Sequence, residues 1–365
     1  MTRALAEFHD ELRAVARDLL APTSPLVTGG EPVAADWQQL AQAGWPGLEV
    51  PDEHGGAGAS LAEVAVVLEE LGRAATAGPF LGAVLAVGAL RLVEPSPARD
   101  ELLAGIAAGD VLAAVALPTG HVDGVAGRPA FRVERVDGHA RLVGRAPFVP
   151  DAPGADRILV VADDPASGPV LVDVMPGARV DVRATPVVDA TRSFAEVVAD
   201  GTPVDGDRCW QFAGDPDDLH VRGAVAVALD SVGVAGAALD ATVGYVAVRH
   251  QFGRPIGSFQ AVKHACANVA VELTISRRLA ADAVERLVTG APDADVAVSM
   301  AKAHAVETGV VATGTALQLH GGIGYTWEHG LHVLLKRAVL DRSLFGSPAA
   351  HRARLARRYE RPPTM

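Results

Sequence analysis

The sequence predicts a mainly α, α+β chain in three parts: an N-terminal helical domain over 1–112, a middle antiparallel β domain over 113–210 and a C-terminal four-helix bundle over 211–365. Three observations carry this. Apolar residues recur at helical spacing towards both ends of the chain. Between them, short β-branched runs alternate with turn residues at the close spacing of an all-β unit. A balance of 49% hydrophobic and 21% charged residues over 365 positions suits a folded chain with room for more than one core.

In the first part, "LAEFHDELRAVARDLL" and "SLAEVAVVLEELGRAA" both show the helical repeat. Ser60 is placed to cap the second, with Glu63 completing a capping box. The glycine- and proline-dense "GWPGLEVPDEHGGAGAS" between them is a loop, and "PARDELLAGIAAGDVLAAVAL" closes the segment. The middle part reads as strands in "FRVERV", "DGHARLVG", "DRILVVADD", "PVLVDVM", "ARVDVRAT" and "SFAEVVAD", forming a sandwich or barrel. Helices then follow near 216–249, 258–289, 292–320, 329–341 and 347–358, broken at Gly253-Arg254-Pro255 and at "GAPDADV".

A formal net charge of -12 argues against a general nucleic-acid binder. Basic residues still gather near the C-terminus: Lys336, Arg337, Arg342, Arg352, Arg354, Arg357, Arg358 and Arg361. They read as a solvated helix face or as a phosphate or partner contact. Cys209 and Cys266 lack metal-site spacing, so no metal is expected, and reduced thiols fit a cytoplasmic protein. The N-terminus has no apolar core of a signal peptide. The apolar run 223–248 comes nearest to a membrane span but is interrupted by Asp230 and Asp240, so no membrane partner is expected.

Two stretches suggest chemistry. In "YVAVRHQFGRPIGSFQAVKH", Arg249 ends a helix, Phe252-Gly253 turns the chain, Ser258 starts the next helix and Gln260 sits in its first turn. A helix N-terminus beside an arginine suits a phosphate or a polar ring edge. The same residues also read as a plain helical corner whose arginine complements the helix dipole. In "ALQLHGGIGYTWEHGLH", Gly321, Gly322 and Gly324 allow close backbone approach, although a Gly-Gly-x-Gly run is also an ordinary helix stop.

Taken in order around a β-rich middle, these stretches resemble the acyl-CoA dehydrogenase family over nearly the whole length. "AGWPGLEVPDEHGGAGASLAEVAVVLEELGR" is similar to the family's first-domain signature. "RHQFGRPIGSFQAVKHACAN" and "QLHGGIGYTWEH" are similar to its two flavin-contacting stretches. The resemblance implies FAD lying between the β domain and the bundle at a subunit interface. It implies that Arg249, Gln251, Phe252 and Gln260 touch FAD, and that Gln318, His320, Gly321 and Gly322 receive the dinucleotide end of a neighbouring subunit's FAD. The implied partners are an acyl-CoA substrate, an electron-transfer flavoprotein, and a second family subunit in a heterotetramer or further copies of this chain.

The family's reaction needs a glutamate to remove the α-proton while the β-hydride moves to flavin. The family places that base in the loop after the glycine-rich helix end, or on the helix before the Arg-x-x-Phe turn. Ungapped matching puts these positions at Phe345, with Gly346 beside it, and at Gly223. None of these can accept a proton, and neither 344–348 nor the neighbours Val221, Arg222 and Ala224 supply an acid. Asp341 is expected to face solvent or Arg337. Glu328 matches a family acid outside the base role. Asp230 lies two turns from Gly223 on one helix face, where burial could raise its pKa and poise it as a base. The flavin-contacting stretch of the β domain is degraded to "ALPTGHVDGVAG", with Thr119 its one retained feature. The pattern resembles the glutamate-lacking subunit of actinobacterial heteromeric acyl-CoA dehydrogenases, which are associated with bulky and steroid side-chain CoA esters. The alternatives are a self-sufficient dehydrogenase using Asp230, or a CoA-ester-binding or scaffold protein without redox chemistry.

Overall fold

The computed structural model describes residues 3–117, 130–136, 138–177 and 179–359. Six helices come first: α1 (Arg3–Leu20), α2 (Pro25–Thr28), α3 (Trp37–Gln42), α4 (Leu61–Ala74), α5 (Phe80–Arg91) and α6 (Pro97–Ala108). The capping box opens α4 as expected: the Ser60 side chain accepts from Ala62 N–H, and Ser60 N–H donates to Glu63 at 2.8 Å. Glu63 also meets His9 at 2.7 Å, and Arg17 forks onto Glu70, so α1 is fastened along α4. Helix α5 is apolar all round and buried from Phe80 to Leu90, as a helix enclosed by others must be.

The middle part is one sheet of β1 (Ala113–Ala116), β2 (Phe131–Val136), β3 (His139–Pro150), β4 (Arg157–Asp164), β5 (Gly168–Val174), β6 (Val180–Ala184), β7 (Phe194–Pro203) and β8 (Cys209–Gln211). The order is β6-β7-β3-β2-β4-β5-β8, with β1 beside β4. The sheet is mixed: β1 and β2 both run parallel to β4, and the other pairs are antiparallel. Side-chain alternation reports burial and not strand direction, which is why the sequence suggests only antiparallel pairing. Strand β1 reads as a continuation of helix because "AAVA" is alanine-rich and buried on both faces. Along it, Ala113 and Val115 face the helical core, while Ala114 and Ala116 face a second core inside the sheet. The stretch 118–129, including Thr119, lies outside the described residues.

The C-terminal part contains α7 (Asp218–Val248), α8 (Gln260–Val288), α9 (Ala294–His320), α10 (Leu331–Ser343) and α11 (Pro348–Tyr359). Helices α7 to α10 form the expected bundle, with α11 packed on α9. By length and apolarity α7 could cross a bilayer, but 83% of that window is buried inside the fold. It crosses α4 closely. A Cβ on Gly72 would overlap the Asp230 backbone, and one on Gly233 would overlap the Glu69 carbonyl, so the two backbones touch at their crossing.

A leucine at Gly233 is therefore expected to cost about 3 kcal/mol or more through overpacking. Alanine at Gly244, in the same helix and facing open space, is expected to add about 0.5–1 kcal/mol. Denaturant unfolding of the two variants checks both signs.

Candidate functional site

The Arg-x-x-Phe stretch stands at one end of the bundle. After α7, a two-stranded ribbon pairs β9 (His250–Gln251) with β10 (Arg254–Pro255). Its tip displays Phe252 at φ 52° with 91% of the residue exposed. Arg254 lies over the Phe259 ring at 4.1 Å, and Phe252 meets that ring edge-on. Arg249, Gln251 and Gln260 are exposed, and Arg249 has no side-chain hydrogen bond among the described residues. Ser258 does not start α8. It closes a turn by donating to the Pro255 carbonyl at 2.7 Å, and Phe259 takes the N-cap position without a side-chain cap.

The glycine-rich stretch comes to the same end. Tyr245, one turn before Arg249, stacks on His320 at 4.3 Å, and its hydroxyl donates to the His320 carbonyl. The His320 ring is buried and Nδ1 bonds the Ala316 carbonyl at 2.7 Å, while burial pushes its pKa down. His320 is thus a neutral spacer packed inside the turn. Gln318, Gly321 and Gly322 face outward, Gly321 at φ 63°, and nothing stands within 4 Å of a Cβ on either glycine. Exposed glycine backbone beside an unpaired arginine fits an approaching pyrophosphate.

The two base positions, far apart in sequence, meet in space. A Cβ on Gly223 would overlap the ring of Phe345, so an aromatic side chain fills the place where either glutamate would stand. A cavity of about 30 Å³ remains beside it, lined among others by His220, Ala224, Ser299, His351 and Asp295, the last paired with Arg354 at 3.0 Å. That holds no more than a water or two.

Two turns along α7, Asp230 joins a buried ionic cluster. Arg337 Nε and Nη2 donate to its two oxygens at 2.9 and 2.6 Å. Arg337 Nη1 also donates to the Thr76 carbonyl at 3.1 Å and to Thr191 Oγ1 at 2.8 Å. Arg192 bridges Asp230 and Asp341 at 3.2 and 3.3 Å. Burial pushes the Asp230 carboxyl up, but the charges of Arg337 and Arg192 outweigh it and hold the carboxyl well below its ordinary range. A poised base would be shifted the other way. Asp341 also departs from expectation, being wholly buried against Ser231 and Arg192. Burial first, then the charge of Asp230, raise it well above the usual range. Lys302 is buried too and donates to the Asp341 and Gly346 carbonyls at 3.0 and 3.1 Å. Burial lowers it to about 8.

The basic C-terminal stretch does not act as one surface. Arg337 is inside, Lys336 sits over Trp327, Arg352 pairs with Glu307 and Arg354 with Asp295. A cleft of about 710 Å³ runs outside between α1, α4, α7 and α8. Its Arg17, Arg73 and Arg277 are matched by Glu70, Asp240 and Glu69, which makes it a salt-bridged seam. Ser276, His304 and Glu272 form a hydrogen-bonded string between α8 and α9. Ser276 is fully buried and offers no nucleophile. No group of three or more metal-ligating side chains occurs among the described residues.

Helices, sheet and bundle in this order, with two exposed flavin-type turns at one end, define the architecture of an acyl-CoA-oxidising flavoprotein. Residues 2–110 match the acyl-CoA dehydrogenase N-terminal domain, and residues 221–360 match the acyl-CoA dehydrogenase C-terminal domain. The chain is 33% identical over 320 residues to the acyl-CoA dehydrogenase IpdE2 of Mycolicibacterium smegmatis, covering 87% of this chain and 86% of that one. It superposes on the ChsE4-ChsE5 complex from Mycobacterium tuberculosis with a TM-score of 0.86 at 26% identity, covering 100% and 99% of the chains. For a Tcur3481-Tcur3483 steroid acyl-CoA dehydrogenase the values are 0.83 and 28%, covering 97% and 98%. The chain belongs to the acyl-CoA dehydrogenase family, whose members are FAD-dependent oxidoreductases.

One buried acid gives a pH signature. Burial pushes Asp151 up to about 6, even though it accepts from Gly82 N–H at 2.7 Å. Between pH 4 and 6 the folded state keeps a proton that the unfolded chain has lost, so stability falls as pH rises through that window. The loss is about 2–3 kcal/mol for a shift of roughly two units. Asp151→Asn is expected to flatten this slope in unfolding free energies measured across that range.

Proposed function

We propose that this chain is the base-lacking subunit of a heteromeric, FAD-dependent acyl-CoA dehydrogenase, completing the flavin site of a partner that carries the glutamate. One observation carries the reading: the two places from which the family draws its base converge on the contact between Phe345 and Gly223, neither of which can take a proton, and the carboxylate lining the cavity beside them, Asp295, is paired with Arg354 at 3.0 Å. Asp230 is no substitute, because Arg337 and Arg192 hold it ionised and use its lone pairs.

Further support comes from the far end of the bundle. Arg249, Gln251, Phe252, Gln260, Gln318, Gly321 and Gly322 are all turned outward. In this reading Arg249 offsets pyrophosphate charge, the Gly321-Gly322 backbone allows close approach, and Phe252 supplies an apolar contact from its turn. His320 contributes by holding the turn in place through its stack on Tyr245. Bound FAD supplies the hydride acceptor. The partner's glutamate would take the α-proton as the β-hydride leaves for that acceptor, so that the α,β double bond would form, and an electron-transfer flavoprotein is the class of partner that would accept the two electrons. The two-chain complexes among the structural relatives, one named a steroid enzyme, favour a bulky CoA ester as substrate and a second family member as partner.

Purified alone, the chain is expected to show no turnover. Co-expressed with a family member that retains the glutamate, it is expected to yield an active complex containing fewer than one FAD per chain. Full activity with one FAD per chain from this polypeptide alone overturns the proposal. Gly322→Val, in open space within the chain, is expected to leave the melting temperature of the isolated protein unchanged while removing most of the flavin from the complex. Absorbance of the purified complex reads the outcome.

A further inference from the structure

Phe345 does more than stand in place of an acid, because three separate features hold it there. Its backbone is left-handed, at φ 51°, a conformation that a bulky side chain keeps only where its surroundings enforce it. Lys302, from α9, is wholly buried and aims its ammonium at the Asp341 and Gly346 carbonyls, on either side of the turn. Burying a lysine is unfavourable unless its donors are used, and here they fasten the end of α10 and the loop after it. His351 donates from Nε2 to the Phe345 carbonyl at 2.9 Å. Gly346, at φ 96°, leaves the room that ring needs, since a Cβ there would lie 2.9 Å from it.

We infer that the loop 344–347 is a plug that closes this chain's own acyl-thioester channel, with Phe345 as its stopper and Lys302 as its positioning residue. The inference rests on the reading of the base positions given above. A loop that had simply lost its acid would need neither a strained aromatic nor a buried lysine beneath it. The ring lies across the α7 face at Gly223, and the space left beside it is about 30 Å³, far too small for a thioester head. Along the same helix face the cavity at Asp230 and Arg337 is only about 20 Å³.

Calorimetric titration of the full chain with hexanoyl-CoA tests this. The wild-type chain is expected to give no saturable heat up to about 1 mM. Phe345→Gly, which suits the left-handed backbone, is expected to bind the thioester saturably and at least about tenfold more tightly than that limit. Lys302→Met is expected to gain binding as well, and to speed hydrogen exchange at the 344–347 amides, whereas a lysine with a merely structural role would give no gain. Saturable binding by the wild-type chain overturns the plug. So does a folded Phe345→Gly or Lys302→Met that binds no better than wild type. Flavin stoichiometry of the two-chain complex separates the cases. One FAD per chain removes the base-lacking-subunit reading, whereas thioester binding by wild type with fewer than one FAD per chain removes the plug alone.

Discussion

The guanidinium of Arg337 is the point on which the rest of the structure depends. From α10 it reaches Asp230 on α7, the Thr76 carbonyl after α4, and Thr191 ahead of β7. Helices, sheet and bundle therefore meet on one side chain. Arginine suits this role because its planar fork serves several acceptors at fixed angles, which a lysine's ammonium cannot match. Such a cluster is a poor source of net stability, because desolvation offsets most of the attraction. Its force lies in what it forbids. Any docking that parted Arg337 from Asp230 would leave a buried charge uncompensated, at a cost of about 3–5 kcal/mol. The cluster balances by retaining protons: Asp341 lies next to Asp230 and its carboxyl is raised, so the acids do not all ionise together.

That constraint reaches the candidate site along α7. The Gly72–Gly233 crossing sets α7 against α4, and the Asp230–Arg337 pair fixes its position against α10. With α10 held through Arg337, the loop that follows it falls across Gly223. Lys302 continues the same logic, binding the last turn of α10 to the loop through two carbonyls. The side chains around the loop thus hold packed elements together. On the proposed reading this is the physical reason the buried Asp230 does not serve as a base: the arginines that neutralise it are the ones that dock the three parts.

Much of this was legible in the sequence, and what was not has identifiable causes. The long helices followed from apolar periodicity, and the Ser60–Glu63 box from its spacing. Strands β1 and β8 were not legible, since four alanine-rich residues and three residues carry too little pattern. The absence of an acid at 345 and 223 was visible from the family pattern, but the contact between the two positions was not, because no local rule links residues so distant in the chain. Asp341 was misplaced because helical spacing offers Arg337 as its partner, whereas Arg337 turns to Asp230 and Asp341 turns to Arg192. His320 sits within a flavin-type motif and still packs inward, because Tyr245 provides a ring to stack on. Motif membership fixes a residue's neighbourhood, and packing decides which way it faces.

The remaining asymmetry bears on assembly. Among the described residues, the cavities beside Gly223 and Asp230 on α7 are of water size. The outer end of the bundle is the reverse: it carries a phenylalanine held 91% exposed on a turn, an arginine with no side-chain hydrogen bond among the described residues, and a bare glycine backbone. Exposing a large aromatic in a left-handed conformation is unfavourable twice over, in lost burial and in backbone strain. The edge-on contact with Phe259 leaves most of the ring uncovered, whereas a cofactor and second chain seated on that end would cover it. On the proposed reading, the two ends have been shaped in opposite directions by one division of labour: the inner end has lost its chemistry to packing, and the outer end keeps its surface open for a site that another subunit completes.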